Sequence, residues 1–81
     1  MDEDLYNRVR NIVLDIVGID IEELDSEKII ADISEWDSFN NLMLISKFEE
    51  DLEIVFSASD VEEIETVLDL LNFIEENSNS S

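Results

Sequence analysis

Leu5, Val9, Ile12, Val13, Ile16 and Val17 recur every three or four positions, the spacing that gathers side chains on one stripe of an α-helix. Asp2, Glu3 and Asp4 precede the stripe, where negative charge favours a helix N-terminus. Gly18 follows it, as a C-terminal stop should. This pattern predicts a helix over residues 3–17. Ile19, Ile21, Leu24, Ile29, Ile30 and Ile33 then supply apolar anchors without a sustained period. Residues 19–37 read as a long, partly ordered connection, with a helical turn near Ser26–Ile30 and isoleucines packed across the helix ends. Connections of this length are unusual in so small a chain and are often functional.

A second helix is expected from Asp37-Ser38 to about Leu52. A short third is signalled by Ser57-Ala58-Ser59-Asp60 and continues to about Ile64. A fourth opens at Thr66, where Thr66-Val67-Leu68-Asp69 resembles a capping box with Asp in place of the usual Glu. Leu70, Leu71, Phe73 and Ile74 give that helix its apolar side. From Glu75 the chain turns to Asn and Ser, a frayed end. Proline is absent and Gly18 is the only glycine, which disfavours turn-rich β-folds. The expected fold is all-α: a small four-helix bundle of three main helices and a short third one. One domain over residues 1–77 and a disordered polar tail over 78–81 complete the outline.

The second helix carries an anomaly. At about 100° per residue, Asn41, Leu44, Ile45, Phe48 and Leu52 share the side that faces a core. Phe39, Leu42 and Met43 point elsewhere, with Ser46 and Glu50. Either the helix is enclosed all round, or an apolar strip is left for a partner. Full enclosure is difficult in a bundle this small, so exposure is expected.

Charge changes the picture next. Acids outnumber bases 23 to 4, for a formal charge of −19. Leu, Ile, Val and Phe nevertheless make up 30 of the 81 residues, well above the level of an unfolded polyelectrolyte. The bases are Arg8, Arg10, Lys28 and Lys47, and everything beyond Lys47 is acidic or neutral. Self-repulsion then favours a monomer, and the field repels nucleic acid while drawing in basic protein surfaces. No apolar run approaches the roughly 20 residues needed to span a bilayer. Met1 is followed at once by Asp2, Glu3 and Asp4, unlike a secretory signal, so a cytoplasmic protein is expected. His and Cys are both absent, which leaves only carboxylates for acid–base work, and none sits in a pattern suggesting a cleft. The chain is not expected to be an enzyme. Asp20, Glu22, Glu23 and Asp25 lack the turn glycine and regular ligands of a calcium loop; they read as a solvated face, with no metal site.

Ser38 stands at the head of the apolar strip. By local pattern it is a helix cap, which would leave its hydroxyl at the helix mouth. A phosphodiester there would be favoured by the helix dipole and by free N–H groups.

The run Glu35-Trp36-Asp37-Ser38-Phe39, followed by Asn40-Asn41-Leu42-Met43-Leu44-Ile45, resembles the modification site of acyl and peptidyl carrier proteins, whose signature is Asp-Ser-Leu at the start of the second helix. The likeness covers about residues 3–76 and includes the acidic Phe48-Glu49-Glu50-Asp51-Leu52 and the closing Glu65-Thr66-Val67. It implies a 4′-phosphopantetheine arm, taken from coenzyme A, on Ser38. The arm would hold an acyl or aminoacyl cargo as a thioester for transfer between enzymes. Implied partners are a phosphopantetheinyl transferase and cargo-activating and cargo-accepting enzymes with basic docking surfaces. They would meet Asp37, Phe39, Leu42, Met43, Ser46, Lys47, Glu50 and Val61. Phe39 replaces the usual Leu, and Trp36 stands where fatty-acid carriers have a small residue. With Asn40, Asn41, Met43 and Lys47, these departures point to a specialised carrier rather than one for bulk fatty-acid synthesis. The rival class is an acidic interaction module without a prosthetic group, such as a nucleic-acid mimic. It accounts for the charge but gives Ser38 no role.

Overall fold

The computed structural model describes residues 1–78, and among them the chain forms helices α1 (Glu3–Val17), α2 (Ser38–Leu52), α3 (Ala58–Glu63) and α4 (Val67–Asn77). The first helix ends where its sequence says it must. Gly18 takes the left-handed conformation, φ 82°, and its N–H bonds to the Leu14 carbonyl. Leu5, Val9, Ile12, Val13 and Val17 are buried, while Ile16 is half-buried against the same core. Leu44, Phe48 and Leu52 of α2 meet them, joined by Val67, Leu70 and Ile74 of α4. Phe56 bridges the α2 and α4 sides. Its ring lies 6.3 Å from that of Phe48 and 4.6 Å from that of Phe73, stacked on both.

The connection between α1 and α2 carries two 3₁₀ turns, Ile21–Glu23 and Ile30–Asp32. Between them lies a hydrogen-bonded turn near the expected one, with the Lys28 N–H donating to the Asp25 carbonyl at 2.9 Å. This stretch is held by the start of α4. Ile30 N–H donates to the Glu65 carbonyl (2.9 Å), Val67 N–H to Lys28 (3.1 Å) and Leu68 N–H to Ser26 (2.7 Å), around an isolated antiparallel bridge between Ile29 and Thr66. Ile21 and Ile33 are buried as expected, but Ile29 faces outward. At the other end, the Arg10 guanidinium grips both oxygens of Asp20 at 2.7 and 2.6 Å. Asp20 in turn accepts the Glu22 N–H.

The capping boxes read from Ser57 and Thr66 both form, with Asp60 and Asp69 as reciprocal partners. α4 runs on through Asn77, beyond the point where fraying was expected. The Asn77 amide bonds to the Phe73 carbonyl at 2.9 Å, and the Met1 ammonium meets Glu75 at 2.6 Å. The tail expected over 78–81 lies, from residue 79 onward, outside the described residues.

Two predictions arise from the backbone and the charge. Glu53 ends α2 in the left-handed region, φ 55°. That conformation costs a side-chain-bearing residue about 1 kcal/mol, and its carboxylate sits at the negative end of the helix. Glu53→Gly should therefore stabilise the fold by about 0.5–1 kcal/mol, read as a higher urea midpoint. The second concerns pH. Arg10 first, then the Glu22 N–H, holds the Asp20 carboxyl below its usual range. The Thr66 and Glu65 N–H groups do the same for Asp69. Both folded-state pKa values are depressed, so this stabilisation is complete above the ordinary carboxylate range and is lost as pH falls through the folded values. Self-repulsion acts oppositely, easing as exposed carboxylates take up protons. The melting temperature should rise from pH 7 to about pH 5 and fall below about pH 4. At pH 7, added salt should raise it.

Candidate functional site

The start of α2 is built by its neighbours. Asp37 Oδ1 accepts the Asn40 N–H at 2.8 Å, so Asp37, not Ser38, is the cap, and Ser38 is the first helical residue. The Asn40 side chain bonds back to the Glu35 carbonyl (2.9 Å). The Ser34 hydroxyl donates to the Glu35 carboxylate at 2.9 Å; this bond, followed by a backbone N–H, keeps that carboxyl below its usual range. Trp36 is only 3% exposed, and its indole N–H donates to Asn41 Oδ1 at 3.0 Å. That bond pins the connection to the second turn of the helix.

The one-residue shift of the cap has a chemical consequence. Had Ser38 been the cap, its hydroxyl would be occupied by a backbone N–H. As it stands, Ser38 is exposed, and its hydroxyl makes no hydrogen bond within the described residues. The N–H groups at the head of α2 lie outside the helical ladder and favour negative charge. An exposed, unoccupied hydroxyl with such donors beside it fits a phosphodiester.

Ser38 also lines a groove of about 280 Å³. Its walls come from Ile29 and Ile30 of the connection, Asn41 and Ile45 of α2, and Val61 and Ile64 around α3. The outer face of α2 carries Phe39 at 70%, Leu42 at 64% and Met43 at 44% exposure, with Ser46, Lys47 and Glu50 exposed along the same stripe. Of the two possibilities for this strip, the exposed one holds. Lys47 pairs with Asp51 at 3.5 Å. Val61 stands apart from the strip, half-buried against the core and in the groove wall.

Two side chains do more than the sequence suggested. Glu49, which reads as a solvated charge, accepts the Phe56 N–H at 2.9 Å and fixes the turn after α2. Asn41, which reads as a core-facing position, is the partner of Trp36. Nothing in the one-dimensional pattern pairs either of them. Among the described residues, no group of three or more acidic side chains is placed to hold a metal ion.

The described residues thus form a small helical bundle with an exposed hydroxyl at a helix start, beside a groove. Residues 7–74 match the family model described as phosphopantetheine attachment site. The chain is also 34% identical over 73 residues to an acyl carrier protein of Phenylobacterium zucineum (strain HLK1), an alignment covering 90% of this chain and 92% of that protein. The chain belongs to the phosphopantetheine-binding acyl carrier family. It is a carrier and not an enzyme, and its prosthetic group is covalently attached 4′-phosphopantetheine. A carrier of this kind works with a phosphopantetheinyl transferase and with biosynthetic enzymes. No helix among the described residues is long and apolar enough to cross a membrane.

Proposed function

We propose that Ser38 is the attachment residue and that the chain carries a thioester-linked acyl or aminoacyl cargo for a specialised pathway. The observation that carries this reading is the Ser38 hydroxyl, exposed and unoccupied because Asp37 has taken the cap. In loading, the hydroxyl gives up its proton and bonds to a phosphorus of coenzyme A. The pyrophosphate link breaks and the nucleotide leaves. Asp37 Oδ1 is engaged as the cap, and the base is assigned to the transferase. When bound, the group supplies a terminal thiol that holds the cargo. The head of α2 then steadies the phosphodiester charge, and the groove beside Ser38 shelters the cargo. Phe39, Leu42, Met43, Ser46, Lys47 and Glu50 form the docking strip, flanked by Asp37 and Val61. The acidic remainder of the surface steers basic partners toward it.

Support for the specialised pathway comes from α2 itself. From Ser38 to Phe48 it has no carboxylate, in a chain of net charge −19, so contact along the strip is apolar first. Met43→Glu should therefore reduce loading by the transferase about tenfold in kcat/KM, because docking would bury an unpaired carboxylate. The far-ultraviolet circular dichroism should not change. Unchanged kinetics would remove the strip from docking.

The reading as a whole is tested by incubating the protein with coenzyme A and a broad-specificity transferase. The mass should rise by one phosphopantetheinyl group. No gain with several transferases would leave a carrier-like fold that is never loaded.

A further inference from the structure

The groove beside Ser38 is not uniformly apolar. Asn41 lies one turn beyond Ser38, and both side chains line it. The Trp36 indole nitrogen can only donate, so the Asn41 atom facing it at 3.0 Å must be the carbonyl oxygen. That fixes the amide orientation and leaves Nδ2 as the opposite end. Nδ2 has no acceptor among the described residues, and it is not sealed away from solvent either. Asn41, which lines the groove beside Ile45, Val61 and Ile64, thus holds a two-proton donor in a fixed orientation.

Building on the proposed attachment at Ser38, we infer that Asn41 is a specificity-determining residue: its Nδ2 donates to a β-carbonyl or β-hydroxyl oxygen on the cargo. Beyond the thioester carbonyl that every cargo shares, a saturated chain laid over Nδ2 strips its water and offers nothing in return. A cargo with an oxygen near the thioester replaces that water. The chain accordingly favours oxygen-bearing acyl groups, such as β-keto or β-hydroxy acids, over plain saturated ones of equal length. Trp36 is the positioning residue, since its indole orients the amide.

The experiment loads the full chain, through the transferase, with a cargo-free arm, an octanoyl arm or a β-ketooctanoyl arm. Each form is checked by mass, melted, and its Asn41 side-chain amide resonances recorded. The β-keto form should melt about 4–8 °C above the octanoyl form, the shift expected of roughly one hydrogen bond in a domain of this size. The Nδ2 protons should move only in the β-keto form. Asn41→Asp keeps an acceptor for Trp36 but removes the donor, and should abolish or reverse that order; Asn41→Leu should do likewise. Equal melting of the two loaded forms, or a higher value for octanoyl, overturns the inference. So does an Nδ2 shift already complete with the cargo-free arm, because the acceptor would then belong to the arm. Failure to gain mass at Ser38 overturns the attachment itself, and this inference with it.

Discussion

Ser38→Ala is expected to abolish phosphopantetheinylation completely while leaving the fold at wild-type stability. The two halves of that result have separate physical origins. On the proposed attachment, loading needs an oxygen nucleophile at the head of α2, and no other hydroxyl occupies that position; Ser34 donates to Glu35, and Ser46 lies two turns further along the helix. Stability does not need this hydroxyl, because it bonds to nothing within the described residues, and such exposed positions usually tolerate substitution within about 0.5 kcal/mol. Asp37→Ala supplies the contrast. It removes the cap from the Asn40 N–H and should cost about 1 kcal/mol, yet it keeps the nucleophile. Mass spectrometry after incubation with coenzyme A, with urea unfolding of the same samples, separates the two. Residual mass gain in Ser38→Ala would place the arm elsewhere.

Phe48→Ala should unfold the domain or come close to it. Phe48 is 1% exposed and stacks on Phe56, which stacks on Phe73. Removing its ring opens a cavity shared by α2, the turn after it and α4. Truncating a buried phenylalanine costs about 3–5 kcal/mol. A domain of 81 residues holds about 4–12 kcal/mol in all, and self-repulsion places this one toward the lower end. Leu42→Ala, on the same helix but 64% exposed, should shift the urea midpoint little. A loss below about 1 kcal/mol for Phe48→Ala would mean the aromatic stack is dispensable.

The contrast between Phe48 and Leu42 was legible in the sequence, because helical phase alone separates them. So were the span of α1, closed by its one glycine, and the capping boxes at Ser57 and Thr66, whose partners lie three residues away. Local chemistry settles such features. What was not legible depends on contacts between distant segments. The bridge between Ile29 and Thr66 ties the connection to the start of α4. The Phe56 N–H recruited Glu49. At the proposed site, the sequence reads Ser38 as the cap and the structure gives that role to Asp37, since Asp and Ser are about equally good caps and the backbone had to choose. Asn41 showed its helical side but not its partner, because Trp36 reaches it only after the chain has turned into α2.

The backbone bonds from Ser26, Lys28 and Ile30 to residues 65–68 bear on the order in which the molecule is assembled. They join the segment leading into Ser38 to residues made much later, and such long closures come late in folding. A nascent chain that has emerged only as far as α3 holds Ser38 and all of α2, and Trp36 can already reach Asn41, but the stretch from Ser26 to Ile30 still lacks its partners at the start of α4. Only when the start of α4 arrives do Ile29 and Ile30 settle as one wall of the groove. Ser38 is written in the middle of the sequence, yet its surroundings are among the last parts of the protein to be finished.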